Sequence, residues 1–131
     1  MKADTKTETA VKAVMKEFAE RYAKRDLAGV LALHASDPDV VVFSPEGKSI
    51  GIDEIRAVVA ADLKYDVVLW TYGWTSISSA GPVAWVAADA TLKLSGEGQE
   101  ITLVGLITWV LENRGDKWLI VHAHVSFSPP E

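Results

Sequence analysis

Cysteine is absent from the 131-residue chain, and cationic residues are rare in its second half. Without cysteine, a disulfide framework, a thiolate zinc site and a cysteine nucleophile are all excluded. Only Lys93, Arg114 and Lys117 carry positive charge after residue 65, and the net charge is −5. A chain with this charge distribution has no cationic face for a phosphate backbone, so we expect no nucleic-acid partner.

Long hydrophobic runs are also missing. The most apolar stretch, Ile101–Leu111, has 11 residues, whereas a membrane-spanning helix needs about 20. The first ten residues are polar and contain no apolar core of a signal peptide. The expectations are therefore no membrane partner and a cytoplasmic location.

What is present is a helical first half. Thr5 and Glu8 have the spacing of a capping box, and an apolar stripe with helical period follows it to about Lys24. Asp26 predicts the cap of a short second helix. Asp53 predicts the start of a third helix. The apolar residues that we expect to face inward are Val11, Val14, Phe18 and Tyr22 in the first helix and Ile55, Val58, Val59 and Leu63 in the third.

The second half has the composition of β-strands, rich in Val, Ile, Trp and Thr. A short strand is predicted at 40–43, and long strands at 67–76, 83–94, 101–111 and 118–127. Short glycine-containing loops separate the last four, which predicts antiparallel hairpins. No linker or change of composition divides the chain, so residues 1–131 are predicted to form a single domain.

The last strand predicts an oligomer. One of its faces carries Leu119, Val121, Ala123, Val125 and Phe127, and the other carries Trp118, Ile120, His122, His124 and Ser126. An antiparallel sheet with one wet face alternates apolar and polar residues more cleanly than this. The helices cover one face, and a second copy of the sheet is the simplest cover for the other. We therefore expect a homodimer.

Three segments and the closing strand resemble a known superfamily. The segments are 26–34 (DLAGVLALH), 41–47 (VVFSPEG) and 51–55 (GIDEI), and the closing strand runs from Trp118 to Ser126. In order and spacing they resemble the SnoaL-like, or nuclear transport factor 2-like, superfamily. The resemblance implies an α+β conical barrel, with three N-terminal helices packed on a strongly curved, mainly antiparallel sheet around a deep pocket.

The resemblance also limits the chemistry. Ketosteroid isomerases of this fold use a carboxylate base, a tyrosine and a second acid. Their positions match Ser44, Phe18 and either Thr108 or Trp109 here. Steroid isomerisation by that mechanism is therefore disfavoured. The implied pocket is neutral and aromatic, suited to a small hydrophobic ligand.

Asp89 is the candidate catalytic residue. It lies between alanines in a middle strand, where an unpaired carboxylate costs several kcal/mol. Two interpretations stay open: an acid or base with a raised pKa, or a structural carboxylate paired with His122 or His124. The two histidines share a strand face, but two ligands do not make a zinc site. No metal or cofactor is expected.

The candidate ligand-binding residues are Tyr22, Ser44, Trp85 and Trp109. Tyr22 lies on the apolar stripe of the first helix, and Ser44 or Tyr22 is the expected hydrogen-bond partner of Asp89. Two functions remain open. The first is a cofactor-independent enzyme that isomerises, cyclises, dehydrates or hydrolyses a small hydrophobic molecule by proton transfer. The second is a non-catalytic dimeric binding or assembly module.

Overall fold

Three helices and a six-stranded sheet form the computed structural model, which describes residues 1–130. The helices are α1 (Thr5–Ala23), α2 (Leu27–Leu31) and α3 (Gly51–Asp62). The strands are β1 (Val41–Ser44), β2 (Gly47–Ile50), β3 (Asp66–Ala80), β4 (Val83–Gly96), β5 (Gln99–Arg114) and β6 (Lys117–Ser128). The predicted α+β fold with a curved, mainly antiparallel sheet is confirmed.

The sheet has the order β2-β1-β6-β5-β4-β3. β1 runs parallel to β6, and every other neighbouring pair is antiparallel. The predicted hairpins are present, with turns at residues 81–82, 97–98 and 115–116. β2 was not predicted, because its four residues, Gly-Lys-Ser-Ile, lack the alternation that marks a strand.

Hydrogen bonds at the first turns show where the helices begin. The carboxylate of Asp4 accepts a hydrogen bond from Thr7 N at 2.8 Å, so Asp4, and not Thr5, caps α1. Asp26 caps α2 as predicted, accepting from Gly29 N at 2.9 Å. α3 begins at Gly51, two residues before the predicted Asp53, and Glu54 accepts from the backbone N–H of its cap residue Ile50 at 2.8 Å. Each cap satisfies an amide that would otherwise lack a partner.

The main core lies between α1 and the inner face of the sheet. Small residues of β4 (Ala84, Ala88 and Ala90) face inward and belong to this core. Larger side chains such as Met15 and Leu111 fill the remaining space and are fully buried. A second cluster joins α2 and α3 through Val30, Val40, Ile55, Val59 and Leu63. The two clusters lie on either side of Phe18 and Val42, which pack against both.

A β-bulge in β6 changes which residues face inward. Val110 pairs with His122 but Leu111 pairs with Ile120, so one residue of β6 is left over. The extra residue shifts the alternation along the strand. Ile120 is therefore fully buried on the inner face, and the expectation that it shares the outer face with His124 is wrong.

None of the helices in residues 1–130 is long and apolar enough to cross a membrane.

Candidate functional site

A cavity of about 400 Å³ opens between the helices and the inner face of the sheet. Its walls are mostly apolar, because the inward stripes of α1 and α3 face the inward residues of β5 and β6. The aromatic lining residues are Phe18, Tyr22, Tyr65, Trp70, Trp109 and Phe127, and the aliphatic ones include Val42, Ile55, Val58, Leu103, Ile107 and Val125. The volume and lining are typical of a small-molecule site.

The aromatic rings form a connected wall. The ring centroid of Phe18 lies 5.1 Å from that of Tyr22, 4.9 Å from that of Trp109 and 5.9 Å from that of Trp70. The rings of Tyr22 and Trp70 are 5.4 Å apart. Tilted and edge-to-face rings at these separations attract one another, so the wall keeps its shape without a ligand.

Polar groups gather where the end of α3 meets the β1–β2 turn. The hydroxyl of Tyr22 donates to Asp62 Oδ2 at 3.1 Å. The hydroxyl of Ser44 donates to Glu46 Oε2 at 2.9 Å. All four residues line the cavity. We call Tyr22, Asp62 and Glu46 the acid cluster.

The acid cluster holds a proton near neutral pH. Burial raises the pKa of Asp62 to about 7, and the hydrogen bond and negative charge of the Glu46 carboxyl act in the same direction. The hydrogen bond from Tyr22 and the charge of Lys64 oppose the rise without cancelling it. Burial, followed by the charge of Asp62, raises the pKa of the Tyr22 phenol. Tyr22 therefore stays a donor, while Asp62 exchanges a proton near pH 7.

Among the described residues 1–130, His34 is the one histidine that lines the cavity. Its Nδ1 lies 3.0 Å from the carbonyl oxygen of Val30. A carbonyl only accepts, so Nδ1 carries the hydrogen. Burial lowers the pKa of His34, and the ring is neutral at neutral pH.

Three of the residues predicted from the sequence line this cavity: Tyr22, Ser44 and Trp109. The structure places Asp89 and Trp85 elsewhere. Both lie on β4, and their side chains point to the outer face of the sheet. The positions that alternate with them are buried on the inner face: Ala84, Val86, Ala88 and Ala90. Asp89 is exposed, and the expectation that it is buried among apolar neighbours is wrong. Its carboxylate lies over Gly73 of the paired strand β3.

His122 and His124 of β6 lie on the outer face of the sheet. His122 Nδ1 donates to the carbonyl oxygen of Val41 at 2.8 Å. The ring of Phe43 packs edge-on against His122 and His124, at centroid distances of 5.5 and 5.4 Å. Neither histidine forms an ion pair with Asp89. Within residues 1–130, no three His, Asp or Glu side chains are grouped to hold a metal ion.

Asp62 and Glu46 were not predicted, although the sequence carried a signal for Asp62. It follows Ile55 by seven residues and Val58 by four, and so it falls on the inward stripe of α3. A carboxylate on an apolar stripe is a candidate for a buried site. Glu46, in a Pro-Glu-Gly turn, gave no such signal.

Residues 11–130 match the family model of the SnoaL-like domain. The chain therefore belongs to this family, as its sequence predicted. Similar solved structures include a conserved protein from Planctomyces limnophilus DSM 3776, with 18% identity over 97% of this chain and all of that chain (TM-score 0.85). A nuclear transport factor 2-like superfamily protein from Salmonella enterica serovar Typhimurium has 19% identity over 98% of this chain and 94% of that chain (TM-score 0.81).

A ketosteroid isomerase-like protein from Erwinia carotovora atroseptica SCRI1043 is also similar, with 15% identity over 93% of this chain and 96% of that chain (TM-score 0.79). No curated protein matches the chain. At these identities the structural likeness shows the fold alone, because one fold carries many functions.

The raised pKa of Asp62 predicts a pH-dependent stability. The unfolded carboxyl ionises at about 3.9, but the folded one stays protonated until about pH 7. The folded state therefore disfavours the ionised carboxylate. The contribution of Asp62 to the free energy of unfolding falls as pH rises from about 4 to about 7, and above pH 7 it stays constant. We expect Asp62→Asn to remove this decrease in stability. At pH 8 the variant should be more stable than the wild type by about 1–2 kcal/mol, a value reduced for the partial exposure of Asp62 to solvent.

Urea unfolding at pH 5 and pH 8 checks this expectation. Asp62→Asn should increase the free energy of unfolding more at pH 8 than at pH 5. An equal change at both pH values would contradict it. Asp89→Asn belongs in the same experiment, because a loss of pH dependence in that variant alone would move the assignment to Asp89.

Proposed function

We propose that this chain binds a small, mostly apolar molecule in the cavity and that Asp62 exchanges a proton with it. The observation that carries the proposal is the cavity itself, about 400 Å³ of mostly apolar space with the acid cluster in its wall. Burial of apolar ligand surface supplies the affinity. A few polar groups gathered in one place supply the orientation.

The reaction class that fits best is cofactor-independent proton transfer, as in isomerisation, cyclisation, dehydration or hydrolysis. A general acid or base works best when its pKa lies near the working pH, and the pKa of Asp62 is raised to about 7. In this proposal Asp62 takes the role that the sequence suggested for Asp89. Tyr22 donates a hydrogen bond that stabilises the ionised carboxylate of Asp62. The hydrogen bond and negative charge of Glu46 raise the pKa of Asp62.

Intrinsic fluorescence tests the location of binding. Trp70 and Trp109 line the cavity, whereas Trp85 lies on the outer face. A library of small apolar molecules should contain compounds that change the emission of the wild-type protein. With such a compound, Trp109→Phe should lose a large part of the change, while Trp85→Phe, the matched control, should keep it. Loss in Trp85→Phe alone would place the ligand outside the cavity.

A second candidate function, a dimeric binding or assembly module, is favoured by the outer sheet face. Leu106 of β5 is 70% exposed there, and Val104 on the same strand is also exposed. Side chains of this kind on one face are typical of a protein interaction surface. We propose that a second copy of the chain covers this face. A dimer of this kind is compatible with either function.

Leu106→Glu tests the dimer. Asp89 lies directly opposite Leu106 on the paired strand β4. The added carboxylate would be buried beside a like charge, which costs several kcal/mol, so we expect this variant to weaken association about 100-fold or more. Gln99→Glu, at the exposed start of β5, is a control with the same introduced residue. Light scattering at tens of micromolar should show a dimer for the wild type and the control and a monomer for Leu106→Glu. A monomeric wild type would refute the dimer.

A further inference from the structure

The charged side chains that line the cavity are acidic. Within residues 1–130, its wall contains two carboxyl groups, Asp62 and Glu46, and no lysine or arginine. Neither carboxyl forms an ion pair with another described residue. Lys64, just after α3, adds a positive charge near Asp62 but does not line the cavity. The other ionisable side chains in the wall are His34, Tyr22 and Tyr65. A ligand carboxylate would meet two acids here without a cation to bind it.

The aromatic wall begins at these acids. Tyr22, which donates to Asp62, packs against Phe18 and Trp70, and Phe18 packs against Trp109. The faces of aromatic rings carry negative charge density and attract organic cations. Carboxyl groups beside such a wall are a suitable environment for an ammonium group with an apolar body.

Resting on the proposed function, we propose that the ligand is a small aromatic or aliphatic amine, whose ammonium binds between Asp62 and Glu46 and whose apolar body lies against the aromatic wall. Neutral molecules of the same shape bind more weakly, because they leave the two carboxyl groups without a cation. Carboxylates are rejected by like charge.

An ammonium in the cavity also changes the state of Asp62. A neighbouring positive charge lowers the pKa of a carboxyl, so binding drives the proton off Asp62 below pH 7. His34, Tyr22 and Tyr65 are the remaining titratable groups in the wall, and Lys64 is the nearby fixed charge. The ligand's charge thus converts Asp62 to the ionised form, which is the form that accepts a proton.

Titration calorimetry with three stand-in ligands tests the proposal. Tryptamine carries the ammonium, and tryptophol and indole-3-acetic acid replace the amine by an alcohol and a carboxylate. At pH 6.5 we expect the amine to bind at least about 10-fold more tightly than the alcohol. The carboxylate should show no binding.

Two readouts connect the preference to named residues. Repeating the amine titration in buffers of different ionisation enthalpy should show proton release, which a neutral ligand does not cause. Asp62→Asn should reduce the preference for amine over alcohol to less than about 3-fold and abolish the proton release. Asp89→Asn, on the outer face, should change neither.

Two results would overturn the amine assignment. One is an alcohol that binds as tightly as the amine, and the other is an amine that does not bind at millimolar concentration. In either case, a neutral compound that still binds and whose fluorescence change still depends on Trp109 would leave the proposed function standing. Only the absence of any ligand for the cavity would remove both.

Discussion

Val125→Trp should weaken ligand binding about 100-fold or more while the protein stays folded. Val125 lies on the inner face of β6, in the cavity wall, and is only partly buried. An indole at this position projects into space that the ligand needs, and steric exclusion removes affinity without removing any attractive contact of the fold. The measurement is the dissociation constant of a compound found by fluorescence screening.

Thr108→Trp is the matched control for this substitution. Thr108 is exposed on the outer face of β5, opposite His124, so the added indole lies across the sheet from the cavity. It should leave the dissociation constant within about 3-fold of the wild type. If the control abolishes binding and Val125→Trp does not, the ligand binds at the outer face.

Leu111→Ala should destabilise the protein by about 3–4 kcal/mol. Leu111 is fully buried between its paired neighbours Ala84 and Ile120. Its removal leaves a cavity at the junction of three strands, where the hydrogen-bonded backbone cannot collapse to fill it. Urea unfolding gives the free energy.

Leu69→Ala makes the same chemical change at a residue that is 42% exposed on the edge strand β3. Its cost should stay below about 1 kcal/mol. Equal decreases in the free energy of unfolding of the two variants would mean that Leu111 is not part of the core.

Much of the fold could be predicted because its determinants are local. Asp26 caps its helix through an amide three residues away, and glycine-containing loops close the hairpins. The position of Ile120 could not be predicted, because it depends on a bulge in the pairing of β5 with β6. A shift of one residue moves every following side chain to the other face, and the sequence of β6 alone does not specify it.

The candidate site was predicted only in part, for a related reason. The alanines beside Asp89 suggested burial, but neighbours along a strand point to the opposite face and do not bury the residue between them. Asp62 falls on the inward stripe of α3, but the sequence does not say which side chain it meets there. Its partner Tyr22 is 40 residues earlier in the chain. Such a contact exists only once the fold has formed.

The central claim is that the cavity holds a carboxyl group, Asp62, which exchanges a proton near neutral pH. Carbon-13 NMR titration of the aspartate carboxyls tests it most directly, with Asp62→Asn to assign the resonance. The structure predicts a midpoint of about 7 for Asp62. A midpoint near 4, the ordinary value for an aspartate, would contradict the account.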